Sequence, residues 1–280
     1  MPVYRNLIAA ADLQALRASG APLAVLDCSF DLADAGAGER AHAEAHLPGA
    51  LYVHLDRDLS GAKTGSNGRH PLPPRQALAE RAGAWGIAPG VQVVCYDAQG
   101  MPYAARAWWL LRWLGHEAVA VLDGGPAAWL AAGGTLTHEA TPPQPRPPYP
   151  VRSAAMPTLD AAELLAQLGR RPVLDARAAE RFRGETEPLD PVAGHIPGAL
   201  NRFFKTNLQP DGRFRPADAL RAEFEALHTA PAELVHQCGS GVTACHNLLA
   251  MEHAGLAGSA LYPGSWSEWC ADPARPVARG

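Results

Sequence analysis

One short segment of the chain combines a cysteine, two glycines and the start of a helix. The run Val235–Ala244 reads Val-His-Gln-Cys-Gly-Ser-Gly-Val-Thr-Ala, which predicts a buried strand, a tight loop and a helix from Thr243. Gly239 and Gly241 allow the backbone to curl so that consecutive N–H groups converge, and the helix dipole adds positive potential there. Cys238 would face this convergence, which favours the thiolate. The pattern therefore predicts a nucleophilic cysteine rather than a buried cysteine beside a glycine turn.

The elements that must position this loop belong to a chain that repeats itself. Four motifs of the first half recur in the same order in the second half. The pairs are 24–28 with 172–176, 46–51 with 195–200, 93–97 with 234–238, and Gly125 and Trp129 with Gly264 and Trp269. The segment between the copies contains seven prolines, a composition typical of a stiff, extended spacer. We predict a first domain at 1–140, a proline-rich linker at 141–157 and a second domain at 158–280.

Short apolar runs with strand character alternate with helical patterns in both copies. The predicted strands are 23–27, 91–96, 118–122, 173–175, 234–237 and 260–262. The predicted helices are 10–19, 103–114, 161–168, 216–227 and 243–253. This alternation is typical of a mainly parallel sheet with helices on both faces, so we expect an α/β protein with two similar domains. Active sites of such sheets lie beyond the carboxyl ends of the strands, which is where Cys238 falls.

The composition argues against several classes of partner and cofactor. The 280 residues carry 24 Lys and Arg against 28 Asp and Glu, and this net charge of -4 does not favour nucleic acid or an anionic membrane. No apolar run reaches the length of a membrane span, and the first residues do not resemble a secretory signal. The five cysteines form no CxxC pair and no zinc spacing. We expect no metal site and no disulfide framework, and a location in the reducing cytoplasm.

The cysteine loop, the two His-Ile/Leu-Pro-Gly-Ala segments and the closing Gly-Ser-Trp-Ser-Glu-Trp together resemble the tandem rhodanese-domain sulfurtransferases, and most of all the 3-mercaptopyruvate sulfurtransferase type. The resemblance covers both halves and implies two rhodanese-like domains, of which only the second is catalytic. Asp97 occupies in the first copy the position that Cys238 holds in the second. The implied reaction uses no cofactor: Cys238 takes sulfane sulfur from a small donor as a persulfide and passes it to a thiol or cyanide. The loop that would stabilise this persulfide comprises Gly239, Ser240, Gly241, Val242 and Thr243.

The identity of the donor depends on charge. Members of the family that prefer thiosulfate, a dianion, have basic residues directly after the nucleophile, whereas Gly239 and Ser240 are neutral. Mercaptopyruvate carries one carboxylate and a thiol proton that must leave, and Ser240 would relay that proton. The resemblance implies that Arg181, with Arg183 as a second candidate, holds the donor's carboxylate. The family often has another arginine shortly afterwards, and the stretch 185–191 has none. We expect mercaptopyruvate as the donor, with thiosulfate as the alternative.

The histidines divide between the fold and the reaction. His46 and His195 precede Pro-Gly in both copies, which favours a role in the fold. The resemblance nevertheless gives the histidine of the first copy a second interpretation, in which His46 contributes to the substrate site and to a proton relay with Ser240. The candidates for the carboxylate of that relay are Asp34, Glu39 and Glu44. We expect His236 to face the surface of the sheet, and the other cysteines, at 28, 95, 245 and 270, to serve in packing.

Two other classes of function compete with sulfur transfer. Cysteine phosphatases, some of which resemble the rhodanese fold, need an arginine six residues after the nucleophile, and Ala244 stands there. A sulfur carrier or regulatory binding module that loads sulfur without turnover remains open. The intact cysteine loop on a duplicated scaffold favours an enzyme.

Overall fold

A computed structural model describes residues 2–228 and 230–280 and divides them into two compact units. The first unit comprises the chain up to Ser60, Pro73–Ala155 and Leu208–Phe214. Its strands are β1 (Leu7–Ile8), β2 (Leu23–Asp27), β3 (Ala50–Tyr52), β4 (Gln92–Tyr96) and β5 (Val119–Leu122). Its helices are α1 (Ala10–Ala18), α2 (Ala37–Glu44), α3 (Arg75–Ala84), α4 (Pro102–Leu114) and α5 (Gly125–Ala131).

The sheet of the first unit has the order β1-β5-β4-β2-β3, and its paired strands run parallel. Successive residues of β4 are buried on opposite faces, which explains the continuous apolar run in the sequence. Val94 and Tyr96 pack in one cluster with Leu13 of α1 and Trp129 of α5. Helix α4, which contacts β4 and β5, begins with Pro102 and ends before a left-handed Gly115. The first unit thus has the layered α/β architecture that the sequence predicts.

The second unit comprises Gly61–Leu72, Met156–Asn207 and Arg215–Gly280. Its strands are β6 (Val173–Asp175), β7 (Leu200–Asn201), β8 (Val235–Gln237) and β9 (Ala260–Leu261). Its helices are α6 (Ala161–Ala166), α7 (Ala179–Phe182), α8 (Ala217–Leu227), α9 (Thr243–His253) and α10 (Ser265–Trp269). The sheet order is β7-β6-β8-β9, again with parallel pairs.

The core of the second unit fixes the strand that leads to Cys238. Val235 of β8 packs in one cluster with Leu164 of α6 and with Trp266 and Trp269 of α10. The next residue, His236, points to the other face, where its Nε2 lies 3.1 Å from Sδ of Met251 on α9. Strand β8 is therefore held on both faces, so the point at which it ends is rigid.

Local sequence signals determine where helix α6 begins. The Asp160 carboxylate accepts a hydrogen bond from the Glu163 N–H at 2.8 Å, and the Glu163 carboxylate accepts one from the Asp160 N–H at 2.9 Å. This reciprocal pair is a capping box, and it satisfies two N–H groups that the first turn would leave unpaired. The helix then ends at Ala166, two residues before the predicted end.

Each unit contains a segment from the opposite half of the sequence. Residues 61–72 precede the proline-rich linker but belong to the second unit, because Arg69 pairs with Asp190 and His70 contacts Ser240. Leu208–Phe214 belongs to the first unit, where the Phe214 N–H donates to the Asp123 carboxylate at 2.8 Å. The contiguous ranges 1–140 and 158–280 therefore do not describe these two segments.

The predicted α/β class with two parallel sheets is confirmed. The predicted strands and helices agree with the observed ones to within two residues at each end. Elements without a distinct sequence pattern were not predicted, namely the short strands β1, β3 and β7 and the helices α2, α3, α5, α7 and α10. Within the described part of the chain, no helix is long and apolar enough to cross a membrane.

Candidate active site

Cys238 is the first residue after β8 and is held by the turn that precedes α10. Its carbonyl accepts a hydrogen bond from the Trp266 N–H at 2.9 Å, and its N–H donates to Oγ of Ser265 at 3.1 Å. Ser265 adopts a φ of 55°, a left-handed conformation that is uncommon outside glycine and that persists where the surroundings enforce it. The side chain of Cys238 is buried, and its Sγ accepts a hydrogen bond from the Gly241 N–H at 3.1 Å. The thiol is thus fixed inside its own loop.

The two glycines of this loop are needed for different reasons. Gly241 has a φ of 77°, and a Cβ there would lie 2.4 Å from the carbonyl oxygen of Pro263. Gly239 lies outside the left-handed region, but a Cβ would lie 2.9 Å from Nη2 of Arg69. Gly241 therefore shapes the backbone, whereas Gly239 leaves space for side chains that approach Cys238.

The predicted helix start lies directly behind the loop. Val242 is the N-cap of α9, which begins at Thr243. Cys245, in the first turn of this helix, is fully buried, and its thiol donates to the Gly241 carbonyl at 3.2 Å. That contact supports the interpretation of Cys245 as a packing residue that braces the loop.

Two arginines converge on Gly239. The position that a Cβ of Gly239 would take lies 2.9 Å from Nη2 of Arg69 and 3.6 Å from both terminal nitrogens of Arg181. Arg181 is the residue that the resemblance indicated. Arg69 was not predicted, and it lies in the segment 61–72, which belongs to the second unit. A pair of guanidinium groups beside a buried thiol is suited to an anionic substrate group, because each group offers several N–H donors in one plane.

A network of carboxylates holds these arginines in place. Glu187 accepts from Nη2 of Arg181 at 2.6 Å and from Nε at 3.2 Å, and it also pairs with Arg177 at 3.3 Å. Asp190 pairs with Nη1 of Arg69, and its other oxygen lies 3.5 Å from Nη2 of Arg181. Burial raises the pKa of Asp190, and the hydrogen bond from Arg69 opposes that rise.

Arg177 completes the network beneath the loop. It forms an ion pair with Asp175 at 2.7 Å, donates to the Gly194 carbonyl at 2.8 Å and stacks on Trp266 at 4.8 Å. Its side chain is almost fully buried. Since the Trp266 N–H also donates to the Cys238 carbonyl, Arg177 links the arginine network to the backbone of Cys238.

Ser240 is paired with a histidine that the sequence analysis did not select. Nδ1 of His70 lies 2.7 Å from Oγ of Ser240, and both side chains are buried. The adjacent Arg69 N–H donates to Oγ of Ser267 at 3.0 Å, which anchors the segment. The signal available in the sequence was an Arg-His pair in a stretch rich in Gly and Pro, a composition typical of a functional loop.

Three residues singled out from the sequence lie elsewhere. His46 belongs to the first unit, where its ring is buried, stacks on His42 at 3.9 Å and has its nitrogens on the carbonyls of His42 and Glu139. Backbone carbonyls already engage both ring nitrogens of His46, and the histidine that contacts Ser240 is His70. Arg183 is exposed and pairs with Glu185 at 2.6 Å. His236 is fully buried, and burial lowers its pKa to about 3, so it is a neutral packing group.

Two of the three carboxylates that were candidates for a relay with His46, Asp34 and Glu39, form ion pairs within the first unit. Asp34 pairs with Arg40, and Glu39 pairs with Arg57 at 3.2 Å. Both pairs are exposed, so they provide no buried partner for an imidazole.

Asp97 occupies in the first unit the position that corresponds to Cys238 in the repeat. Its carboxylate accepts four backbone hydrogen bonds at 2.8–2.9 Å, from the N–H groups of Gln99, Met101, Tyr103 and Ala104. Burial raises the pKa of Asp97 to about 6, against the lowering effect of these four donors. The converging N–H groups of this loop thus bind the carboxylate of Asp97.

Comparison with known proteins agrees with this architecture. A family model described as Rhodanese-like domain matches residues 9–132 and 160–272, so the chain belongs to the rhodanese family and contains two such domains. It is 52% identical over 272 residues to a probable 3-mercaptopyruvate sulfurtransferase of Pseudomonas aeruginosa, covering 95% of each chain. It is 34% identical over 279 residues to the thiosulfate sulfurtransferase of Bos taurus, covering 95% of this chain and 92% of that one. The solved 3-mercaptopyruvate sulfurtransferase from Leishmania major matches with a TM-score of 0.84 at 30% identity, over 95% of this chain and 74% of that one.

Proposed function

We propose that this chain is a sulfurtransferase that moves sulfane sulfur from 3-mercaptopyruvate to a thiol or cyanide through a persulfide on Cys238. The observation that carries the proposal is that the guanidinium groups of Arg69 and Arg181 lie against Gly239, the residue directly after the buried Cys238. The named activities of the relatives support the same reaction class. The residues of the loop itself, from Gly239 to Thr243, provide the backbone around the sulfur.

The two guanidinium groups would bind the carboxylate of the donor. Glu187 occupies Nε and Nη2 of Arg181, and Asp190 occupies Nη1 of Arg69, so Nη1 of Arg181 and Nη2 of Arg69 face Gly239. A carboxylate placed there would hold the donor with its sulfur toward Cys238. Arg69 therefore supplies the second cation that the stretch 185–191 does not contain.

The transfer itself exchanges one C–S bond for one S–S bond. The Cys238 thiolate attacks the sulfur of the donor, the bond between that sulfur and carbon breaks, and the electron pair goes to the carbon. The proton that leaves the donor's thiol is returned to this carbon, so the products are pyruvate and the Cys238 persulfide. The acceptor then attacks the outer sulfur and regenerates the Cys238 thiolate.

Ser240 and His70 are suited to move this proton. Oγ of Ser240 lies 2.7 Å from Nδ1 of His70, and Ser240 is two residues from Cys238. When Nδ1 of His70 carries no proton, the Ser240 hydroxyl donates a hydrogen bond to it. The same hydroxyl can then take the proton from the thiol of mercaptopyruvate. Because both groups are buried, their hydrogen bond is shielded from competing water.

Thiosulfate is the second candidate donor, since paired guanidinium groups also fit a sulfonate. The acceptor is a small thiol or cyanide, and we propose no nucleic-acid or membrane partner. We propose the reducing cytoplasm as the location, because the reaction needs the Cys238 thiol to stay free.

The decisive experiment follows sulfur on the protein. After incubation with mercaptopyruvate, intact mass should increase by one sulfur atom, and a thiol acceptor should remove it. Cys238→Ser should gain no sulfur, whereas the control Cys270→Ser, which removes another buried thiol of the same unit, should load normally. Sulfur transfer by Cys238→Ser would refute the proposal.

Steady-state kinetics separate the remaining alternatives. A higher kcat/KM with mercaptopyruvate than with thiosulfate is expected, and the reverse order would reassign the donor. Multiple turnovers in excess dithiothreitol or cyanide are expected of an enzyme. Loading without turnover would instead identify a sulfur carrier.

A further inference from the structure

Asp190 is placed between the two arginines that face the nucleophile. One carboxylate oxygen pairs with Nη1 of Arg69, and the other lies 3.5 Å from Nη2 of Arg181. Only 3% of its side chain is exposed. Asp190 is thus a charge built into the site that would receive the donor, rather than a surface carboxylate.

Asp190 differs from the other carboxylate of this loop. Glu187 is bound by Nε and Nη2 of Arg181, by Nη1 of Arg177 and by the backbone N–H groups of residues 189 and 190. Glu187 therefore orients the guanidinium group of Arg181. Among the described residues, none donates a hydrogen bond to the buried Oδ2 of Asp190, whose ion contact with Nη2 of Arg181 is 3.5 Å long. An oxygen in this state adds negative potential to the site without being needed to hold Arg181.

The formal charges of the network cancel. Its cations are Arg69, Arg177 and Arg181, and its anions are Asp175, Glu187 and Asp190. The site therefore has no large excess of positive charge. A donor with one negative charge is still attracted by the guanidinium N–H groups of Arg69 and Arg181 that face Gly239. A donor with two negative charges meets the same N–H groups, but its second charge is opposed by the carboxylate of Asp190.

We propose that Asp190 determines donor specificity by setting the charge of the arginine site, so that a monoanionic carboxylate donor is favoured over a dianionic donor such as thiosulfate. This inference rests on the proposed sulfur transfer at Cys238. Asp190 acts through Arg69 and Arg181 and touches no reacting atom, so it is a positioning and specificity residue.

The test compares two donors in Asp190→Asn, a substitution that removes the charge and keeps the shape. The ratio of kcat/KM for thiosulfate to kcat/KM for mercaptopyruvate should rise roughly tenfold to hundredfold, because one unit of charge in a partly buried site acts twice as strongly on a dianion. Competitive inhibition by sulfate should strengthen relative to inhibition by pyruvate. Asp190→Glu keeps the charge and should keep the ratio of the unaltered protein.

Glu185→Gln is the matched control, since it removes one negative charge from the same segment at an exposed pair with Arg183. Its donor ratio should stay within about twofold, because exposed charges are screened. The ratio is measured on one preparation, so a fraction of unfolded protein cancels. An unchanged or lowered ratio in Asp190→Asn overturns the inference. Absence of sulfur on Cys238 in the unaltered protein would instead overturn the proposed function.

Discussion

Replacing Gly239 by alanine would test how closely the two guanidinium groups approach the Cys238 loop. The new methyl group would lie 2.9 Å from Nη2 of Arg69 and 3.6 Å from the terminal nitrogens of Arg181. Gly239 lies outside the left-handed region, so alanine introduces no backbone strain. The atom that must move is the end of a long, flexible side chain. We therefore expect Gly239→Ala to fold normally and to bind the donor poorly.

The size of the effect follows from the contact that is lost. If Arg69 swings away from Gly239, the donor loses one charge-assisted hydrogen bond, worth about 1.5–3 kcal/mol. That corresponds to a decrease of roughly 10- to 100-fold in kcat/KM. The donor's carboxylate keeps its charge throughout the transfer, so the contact is equally strong before and during the reaction. The decrease should therefore appear mainly in KM, with kcat nearly unchanged.

Three measurements check this expectation. Initial rates over a range of mercaptopyruvate concentrations separate KM from kcat, and product inhibition by pyruvate reports the same contact without sulfur chemistry. Thermal unfolding should differ from that of the unaltered protein by less than about 1 kcal/mol. A lowered kcat at constant KM, or an unchanged KM, would refute the arrangement of Arg69 and Arg181 around Gly239.

Three further substitutions test separate parts of the structure. Gly241→Ala should destabilise the second unit by about 2 kcal/mol or more and lower kcat, because φ is 77° and the new Cβ lies 2.4 Å from the Pro263 carbonyl; urea unfolding and initial rates measure both. Arg69→Gln should raise the donor KM at least tenfold, whereas Arg183→Gln, at an exposed pair, should leave it unchanged in the same assay. His236→Leu should make stability less dependent on pH between 6.5 and 4.5, as urea unfolding at several pH values would reveal.

The sign of the last effect follows from where the proton binds. The folded state holds the pKa of His236 at about 3, whereas the unfolded chain binds a proton below about 6.5. The stability from this group is therefore complete above pH 6.5 and is lost as the pH falls toward 3, by about 1.4 kcal/mol per unit. The variant lacks this loss, so the unaltered protein should lose roughly 2 kcal/mol more between pH 6.5 and 4.5.

Specific outcomes would contradict each of these expectations. Full stability of Gly241→Ala would contradict the backbone geometry of the loop. An unchanged donor KM in Arg69→Gln would remove Arg69 from the site, and an equal increase in Arg183→Gln would point to a general charge effect. Parallel pH profiles for His236→Leu and the unaltered protein would show that His236 does not titrate as its burial requires.

The sequence was most informative where local chemistry decides the structure. β2 and α9 were predicted with the bounds that the structure has, because an apolar run bounded by turn residues and an uninterrupted helical segment each carry a clear pattern. The loop at Cys238 followed from its glycines. By contrast, α3 was missed because its residues, Arg-Gln-Ala-Leu-Ala-Glu-Arg-Ala-Gly-Ala, present small side chains without a distinct apolar stripe.

The parts of the site that were missed depend on contacts between distant residues. Arg69 is 121 positions from Asp190, and His70 is 170 positions from Ser240. Neither pair leaves a periodic or adjacent pattern in the sequence. The repeat of the His-Pro-Gly motif favoured a fold role for His46, whereas the family resemblance directed attention to His46 as a substrate-site residue. Asp97 stands where the second copy has Cys238, and the segment 61–72 supplies Arg69 and His70 to the second unit.

Because the segment 61–72 packs against residues made much later, the order of synthesis determines when the surroundings of Cys238 form. Its residues leave the ribosome well before β8 and α9, so His70 and Arg69 must wait for Ser240 and Asp190 to be made. Contacts over such sequence distances form slowly, because a long loop has to close first. A nascent or truncated chain that holds only the first half contains Arg69 and His70, and one that holds only the second half contains Cys238, Ser240 and Arg181 without them. Cys238 thus acquires its full environment only when translation of both halves is complete.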